Sequence, residues 1–128
     1  MTNRIKRVYL GGAVTEATRN PMEWRTAFMA MVPGWEYGGP FLLEQCNDTL
    51  EKIVHGDLDC IRRCDAFVAR FDIPSSGTAM ELFFAHNLRI PTCGIASRET
   101  KLSGWVKYHS NTLVHSISGA LEFLEGIK

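Results

Sequence analysis

Glu81 stands in the stretch SSGTAMELFFAH, residues 75–86, where a loop of small and polar residues runs into a segment that is otherwise almost wholly apolar. A carboxylate in such a place has limited water, so burial works to raise its pKa while a helix N-terminus works to lower it. Asp57 is a second oddly placed acid. On a helix ending at about residue 63, one inward stripe reads Leu50, Ile53 or Val54, Asp57, Ile61 and Cys64, so an aspartate takes a slot that periodicity gives to an aliphatic side chain. Two carboxylates meeting under one sugar ring suit glycosyl chemistry: one attacks the anomeric carbon and holds a covalent ester, the other orients or protonates. An oxocarbenium-like transition state gains from negative charge beside it. Each acid also has a plain structural reading. TAME, residues 78–81, fits a capping box in which Thr78 caps the helix and Glu81 reaches back to its amide. Asp57 is half exposed if the stripe is turned by one residue.

The elements that must carry these acids can be read along the chain. KRVYL, residues 6–10, is a short strand stopping at Gly11-Gly12, and Pro21 is a good first helical residue after Asn20. A helix is expected over residues 22–31, then a short strand or irregular edge in GWEYGGP, residues 34–40. A second helix runs from a cap at Asn47 or Asp48 to about residue 63. AFVARF, residues 66–71, is a buried strand, followed by a helix over residues 77–88 and a strand in IPTCGIA, residues 90–96. A loop at residues 99–105, a fifth strand in TLVHS, residues 112–116, and a closing helix over residues 118–126 capped by Ser118 complete the pattern.

Strands alternating with helices predict one three-layer α/β domain over residues 1–128. Its parallel sheet of about five strands is flavodoxin-like or half-Rossmann, with helices on both faces. Ligands in such sheets bind beyond the carboxyl ends of the strands, where the order reverses. That rule singles out the loops at residues 11–20, 72–77 and 97–104.

Composition narrows the function classes. The chain has 128 residues with 14 basic and 14 acidic side chains, so no net charge recruits a nucleic-acid polymer or an anionic membrane. Nothing resembles a signal peptide or a spanning segment, and the scattered cysteines Cys46, Cys60, Cys64 and Cys93 read as reduced thiols of a cytoplasmic protein. Cys60, Cys64 and His55 lack the paired spacing of a zinc site, and no metal or cofactor is expected. G-x-G-x-x-G after the first strand and G-x-x-x-x-G-K-[ST] are both absent, which argues against hydride transfer and a P-loop.

Three pieces in order, VYLGG at residues 8–12, GDLDCIRRCDAFVARFD at 56–72 and SGTAMELFFAHNLRIPTCGI at 76–95, resemble the nucleoside 2-deoxyribosyltransferase superfamily. The resemblance covers most of the chain and is least certain over residues 36–47. It implies that Glu81 is the nucleophile taking the sugar at C1′, that Asp57 contacts the base and shuttles its proton, and that the Tyr9 hydroxyl holds the nucleophile. On its own Tyr9 reads as a core aromatic. Gly11 and Gly12 fall in the first candidate loop. Trp24-Arg25 resembles a W-R pair of many relatives, or else a sheet-covering tryptophan beside a solvated arginine. SGWVKYHS, residues 103–110, resembles a segment that in the superfamily can reach into a neighbouring subunit's site. There Trp105 and Tyr108 would stack on a base, and Ser103 or His109 would donate to the sugar or a 5′ group; the alternative is an aromatic loop packed on its own domain. The apolar surplus at Phe83 and Phe84 fits a homo-oligomer interface, or a helix sandwiched within one domain.

One departure bears on the substrate. Deoxyribosyltransferases usually carry an aspartate just before the G-x-x-x-E element, where this chain has Ser75 and Ser76. Serine there resembles the related 5′-monophosphate N-glycosidases, and Ser75, Ser76 and the amides near Gly77 would make an anion nest. The implied activity is deoxyribosyl transfer between bases. The alternatives are hydrolysis of a nucleoside 5′-monophosphate, a nicotinamide dinucleotide glycohydrolase, and a non-catalytic nucleotide-binding module.

Overall fold

The computed structural model of the protein describes residues 4–13, 21–41 and 49–127. Five strands, β1 (Lys6–Gly11), β2 (Trp35–Tyr37), β3 (Ala66–Arg70), β4 (Thr92–Ile95) and β5 (Thr112–Val114), form one sheet in the order β2-β1-β3-β4-β5. Every neighbouring pair is parallel, with Tyr9 opposite Phe67 and Val68 opposite Cys93. This is the flavodoxin-like order, and it reverses between β1 and β3. Among the described residues the helices are α1 (Glu23–Ala30), α2 (Leu50–Arg62), α3 (Ser76–Asn87), α4 (Gly104–His109) and α5 (Ile117–Glu125). None of the helices in the described residues is long and apolar enough to cross a membrane.

The pleat sorts side chains into two cores. Val8, Leu10, Ala66 and Val68 point to one face, where they meet Phe28 of α1 and Ala120 and Leu124 of α5. Tyr9, Phe67 and Ala69 point to the other, against Ile61 of α2, Leu82 and Ala85 of α3 and Val106 of α4. Because strands covered on both faces must be apolar throughout, β3 and β4 read as continuous hydrophobic runs. Val8, Leu10, Phe67 and Val68 are fully buried, each worth about 1.5–3 kcal/mol of transfer free energy.

Helix starts differ from expectation in a consistent way. α2 is capped by Thr49, whose side chain accepts from the Lys52 amide, while Asn47 and Asp48 lie outside the described residues. α3 is capped by Ser75, not Thr78, and α5 by Ser116, not Ser118. In each case a hydroxyl held in extended backbone reaches the amide three residues on, earlier than expected in α3 and α5 and just after Asp48 in α2. The expected loop around Trp105 is the short helix α4, with Ser103 as its cap. Along the expected inward stripe Leu50 is exposed, Ile53 and Asp57 are half-buried while Val54 is exposed, and Ile61 and, just past the helix, Cys64 are buried.

Candidate active site

Glu81 lies six residues beyond the Ser75 cap, too far along α3 to reach the helix's first amides. The Thr78 amide instead donates to Ser75 Oγ at 3.2 Å, and the Thr78 hydroxyl donates to the same oxygen at 2.9 Å. The capping box is therefore not formed, and the Glu81 carboxylate is left to turn to the sheet. There the Tyr9 hydroxyl donates to Glu81 Oε2 at 2.5 Å. Tyr9 is fully buried on β1, and its ring stacks parallel on Phe67 with centroids 5.5 Å apart. Gly39 closes its other edge. At φ +121° this residue favours glycine, and a Cβ there would lie 3.4 Å from Tyr9 Cε2 and 3.1 Å from Cys60 Cβ. The Leu10 amide donates to Gly39 O at 2.9 Å, which holds the residue-38–40 segment along β1.

Asp57, half-buried on α2, comes within hydrogen-bonding reach of the Glu81 carboxyl. The structure thus joins Tyr9, Asp57 and Glu81 from three elements at the point where the strand order reverses. Burial, reinforced by the Asp57 charge and opposed by the Tyr9 hydrogen bond and the Arg25 charge, pushes the Glu81 carboxyl up to about 7. Burial and the two carboxylates raise the Tyr9 hydroxyl far above its ordinary value, so Tyr9 stays a donor.

Arg25 was not legible in its true role. It is not solvated: its relative exposure is 0%, and its guanidinium donates to Leu10 O at 2.8 Å, to Gly12 O at 3.3 Å and to Pro21 O. Two backbone carbonyls at the end of β1 and one at the entry to α1 are thereby tied to one buried cation. Burial lowers its pKa, against the attraction of Tyr37, Tyr9 and Glu81. The Trp24 ring meets two guanidinium groups, Arg25 at 5.0 Å and Arg70 at 5.4 Å from its centroid. With Gly12, Ala13, Asp72 and Ile73, Trp24 and Arg70 line a cavity of about 100 Å³ at the carboxyl ends of β1 and β3. Sequence reasoning passed over Arg70, although a cation closing an otherwise apolar strand at the ligand-binding end was a usable signal.

The remaining candidates fall into three groups. Gly11 is buried, and a Cβ on it would lie 3.1 Å from Ala69 Cβ and 3.2 Å from the Phe67 ring, so its missing side chain serves the packing of β1 on β3. Ser76 and Gly77 are exposed at the start of α3, with Gly77 one turn before Glu81 on the same helix face, whereas the Ser75 hydroxyl is committed to Thr78. Ser103, Trp105, Tyr108 and His109 are not brought to Glu81 within the chain. They gather on the opposite side of α3, where Ser103, Trp105 and His109 line an apolar cavity of about 390 Å³ with Ala79 and Phe83. His109 is buried there, its Nδ1 2.6 Å from Trp105 O, while Trp105 and Tyr108 are 75% and 74% exposed. Among the described residues no three His, Cys, Asp or Glu side chains cluster as metal ligands, and the buried Cys64 thiol, 3.8 Å from Gly38 O, is raised to about 12 by burial.

A half-buried acid held by a buried tyrosine beside a second acid stands at the switch point of a 2-1-3-4-5 sheet, where such sheets bind ligands. Solved structures share this fold. A CMP N-glycosidase, BcmB, from Clostridium botulinum matches with a TM-score of 0.67 and 22% identity over 94% of this chain and 98% of that one. A 2-deoxyribosyltransferase from Bacillus psychrosaccharolyticus matches with a TM-score of 0.70 and 12% identity over 90% of each chain. A further deoxyribosyltransferase, from Leishmania mexicana, gives 0.66 and 20% over 93% and 96%. At these identities the likeness is one of fold. No family model matches the chain, and no curated protein matches its sequence.

Proposed function

We propose that this protein belongs with the nucleoside 2-deoxyribosyltransferases and related N-glycosidases and cleaves the N-glycosidic bond of a (deoxy)nucleoside or its 5′-monophosphate through a glycosyl ester on Glu81. The observation that carries the reading is the 2.5 Å hydrogen bond from Tyr9 to Glu81 with Asp57 alongside. Two carboxyls in hydrogen-bonding reach share one proton and titrate as a pair. Moving that proton from Glu81 to Asp57 ionises the nucleophile and arms the acid together. A Glu81 oxygen then bonds C1′ as the C1′–N bond breaks, and the bond's electron pair leaves with the base, which takes the proton from Asp57. Tyr9 keeps the attacking carboxylate in one rotamer and stabilises its charge.

Attack on the ester by the nitrogen of a second base completes a transfer, and attack by water completes a hydrolysis; Asp57 receives the acceptor's proton in either case. Arg70 favours a phosphorylated substrate, because a guanidinium laid on Trp24 beside a small cavity is a good partner for a 5′-phosphate, with Ser76 and the Gly77 amide beyond it. The exposed face of Met80, Phe83, Trp105 and Tyr108 is read as the contact of a homo-oligomer, which would carry Ser103 and its neighbours toward another copy's site. Incubation with a nucleoside or nucleotide and a different free base, with products resolved by chromatography, tests the reaction. A new nucleoside marks transfer and free base alone marks hydrolysis; tight nucleotide binding without turnover would replace both with a binding module.

A further inference from the structure

A second cavity, of about 210 Å³, opens at the carboxyl ends of β4 and β5, away from the switch point. Three side chains of basic type, Arg98, Lys107 and His115, line it. They come from three separate elements: the β4 exit, α4 and the β5 exit. Among the described residues none of the three makes an ion pair with a carboxylate, unlike Arg62 and Arg63, which both pair with Asp59. Asp72 is engaged with the loop itself, its Oδ1 accepting from the Ser97 amide at 2.8 Å and the Thr100 hydroxyl at 2.7 Å, and Glu99, next to Arg98 in the chain, is exposed. These bonds also fix the loop that carries Arg98.

The rest of the lining sets the ligand's organic part. Leu102, Leu113 and Val114 supply apolar walls. His115 Nδ1 is 3.0 Å from Ala96 O, a carbonyl that can only accept, so Nδ1 bears a hydrogen and Nε2 is left to meet a hydroxyl. The volume is below the roughly 300–1,000 Å³ of cavities that take drug-sized ligands. We propose that this cavity binds a small hydroxylated phosphate monoester of the size of a sugar phosphate. Arg98 and Lys107 would hold the phosphate, His115 a hydroxyl, and the leucine and valine walls the C–H face of the sugar. The site is separate from Glu81 and does not depend on the reaction proposed there.

Titration calorimetry with ribose 5-phosphate, with inorganic phosphate as the second probe, tests it on the full chain. The sugar phosphate should bind more tightly than inorganic phosphate. The double variant Arg98→Ala/Lys107→Ala should lose about tenfold or more in affinity for both probes, and His115→Ala should lose the preference for the sugar. All three side chains are exposed, and amide shifts of the unmutated protein locate the ligand independently: they should move at residues 96–100 and 113–115. Shifts confined to the surroundings of Glu81 and Trp24, unchanged affinity in the double variant, or no binding in the millimolar range would each overturn the proposal. Equal affinity for the two probes would reduce the site to an adventitious ion only and overturn it as well.

Discussion

Tyr9 on the central strand donates its hydroxyl to Glu81 on α3 across 2.5 Å, and the two residues are 72 positions apart in the chain. The pairing sets the charge state of the candidate nucleophile. Burial and Asp57 raise the Glu81 carboxyl to about 7, and the Tyr9 bond works against that rise. The reactive form of the pair holds one proton, so kcat/KM should fall as pH rises through about 7. In Tyr9→Phe the opposing donor is gone, the carboxyl is raised further, and the falling limb should move to higher pH. The same variant should lose about ten- to a hundredfold in kcat/KM, as expected for a hydrogen bond to a charged group. A pH–rate profile of both proteins measures the shift, and a limb that stays in place would separate Tyr9 from the titrating group.

Glu81→Gln should abolish turnover and yet stabilise the fold at neutral pH. A carboxyl at about 7 in the folded protein, against an ordinary value of 4.5, binds more protons folded than unfolded between those limits. Stability of the unmutated protein therefore falls as pH rises from about 4.5 to about 7, by up to about 3 kcal/mol for this shift. Glutamine carries no such proton, keeps an oxygen for Tyr9 and offers its amide to Asp57. Urea unfolding at several pH values should show a flatter dependence in the variant, together with loss of product formation.

Arg25 should be among the least replaceable side chains. Arg25→Met leaves the carbonyls of Leu10, Gly12 and Pro21 without their shared donor, at about 1–3 kcal/mol for each buried acceptor left unpaired. A net loss of at least about 3 kcal/mol is expected in chemical denaturation. Arg25→Lys should be intermediate, since an ammonium keeps the charge and lacks the planar fork. Destabilisation no greater than that of an exposed arginine would contradict the burial.

What was legible followed from local patterning. Apolar runs bounded by Gly and Pro gave the strands near residues 8, 68 and 94, and alternation with helices gave the parallel order. Glu81 and Asp57 stood out because each broke an apolar pattern at the ligand-binding end of the sheet. Arg25 stays open between a W-R pair and a solvated arginine in the sequence, because its burial depends on the end of β1 folding over it to add the Leu10 and Gly12 carbonyls to that of Pro21. The capping-box spacing matches only Thr78 with Glu81, and the cap at Ser75 depends instead on where the chain leaves β3. The α4 helix was missed since Gly104 opens it and it is only six residues long. The gathering of Trp105 and His109 behind α3, away from Glu81, follows from which face of α3 packs on the sheet, which an all-round apolar helix does not disclose.

Arg70 should decide how strongly a 5′-phosphate is preferred. Arg70→Met keeps a long side chain to cover Trp24 and removes the charge. The ratio of kcat/KM for a nucleoside 5′-monophosphate to that for its nucleoside should drop by about ten- to a hundredfold, and the nucleoside alone should be handled within about twofold of the unmutated protein. Arg70 is exposed, so the fold is not at stake. An equal fall for both substrates would assign Arg70 to the support of Trp24 and not to the phosphate.

The outer face of α3 and α4 leads to the last expectation. Met80 is 70% exposed and Phe83 50%, and with Trp105 they line the 390 Å³ apolar cavity, while Tyr108 lines a neighbouring cavity that shares Trp105 and His109 with it. Scattered exposed apolar residues are ordinary, but four large ones on two neighbouring helices are a patch of the kind that association covers. A second copy is the occupant most consistent with a chain of zero net charge, which offers no long-range repulsion between copies. Phe83→Glu places a charge in the middle of this face without touching the sheet-facing side of α3. Sedimentation velocity should show an oligomer for the unmutated protein and a smaller species for the variant. If Ser103, Trp105 and Tyr108 act in another copy's site, activity should fall with dissociation and recover on concentrating the unmutated protein. A fully active monomer would show that Glu81, Asp57 and Tyr9 are sufficient within one chain.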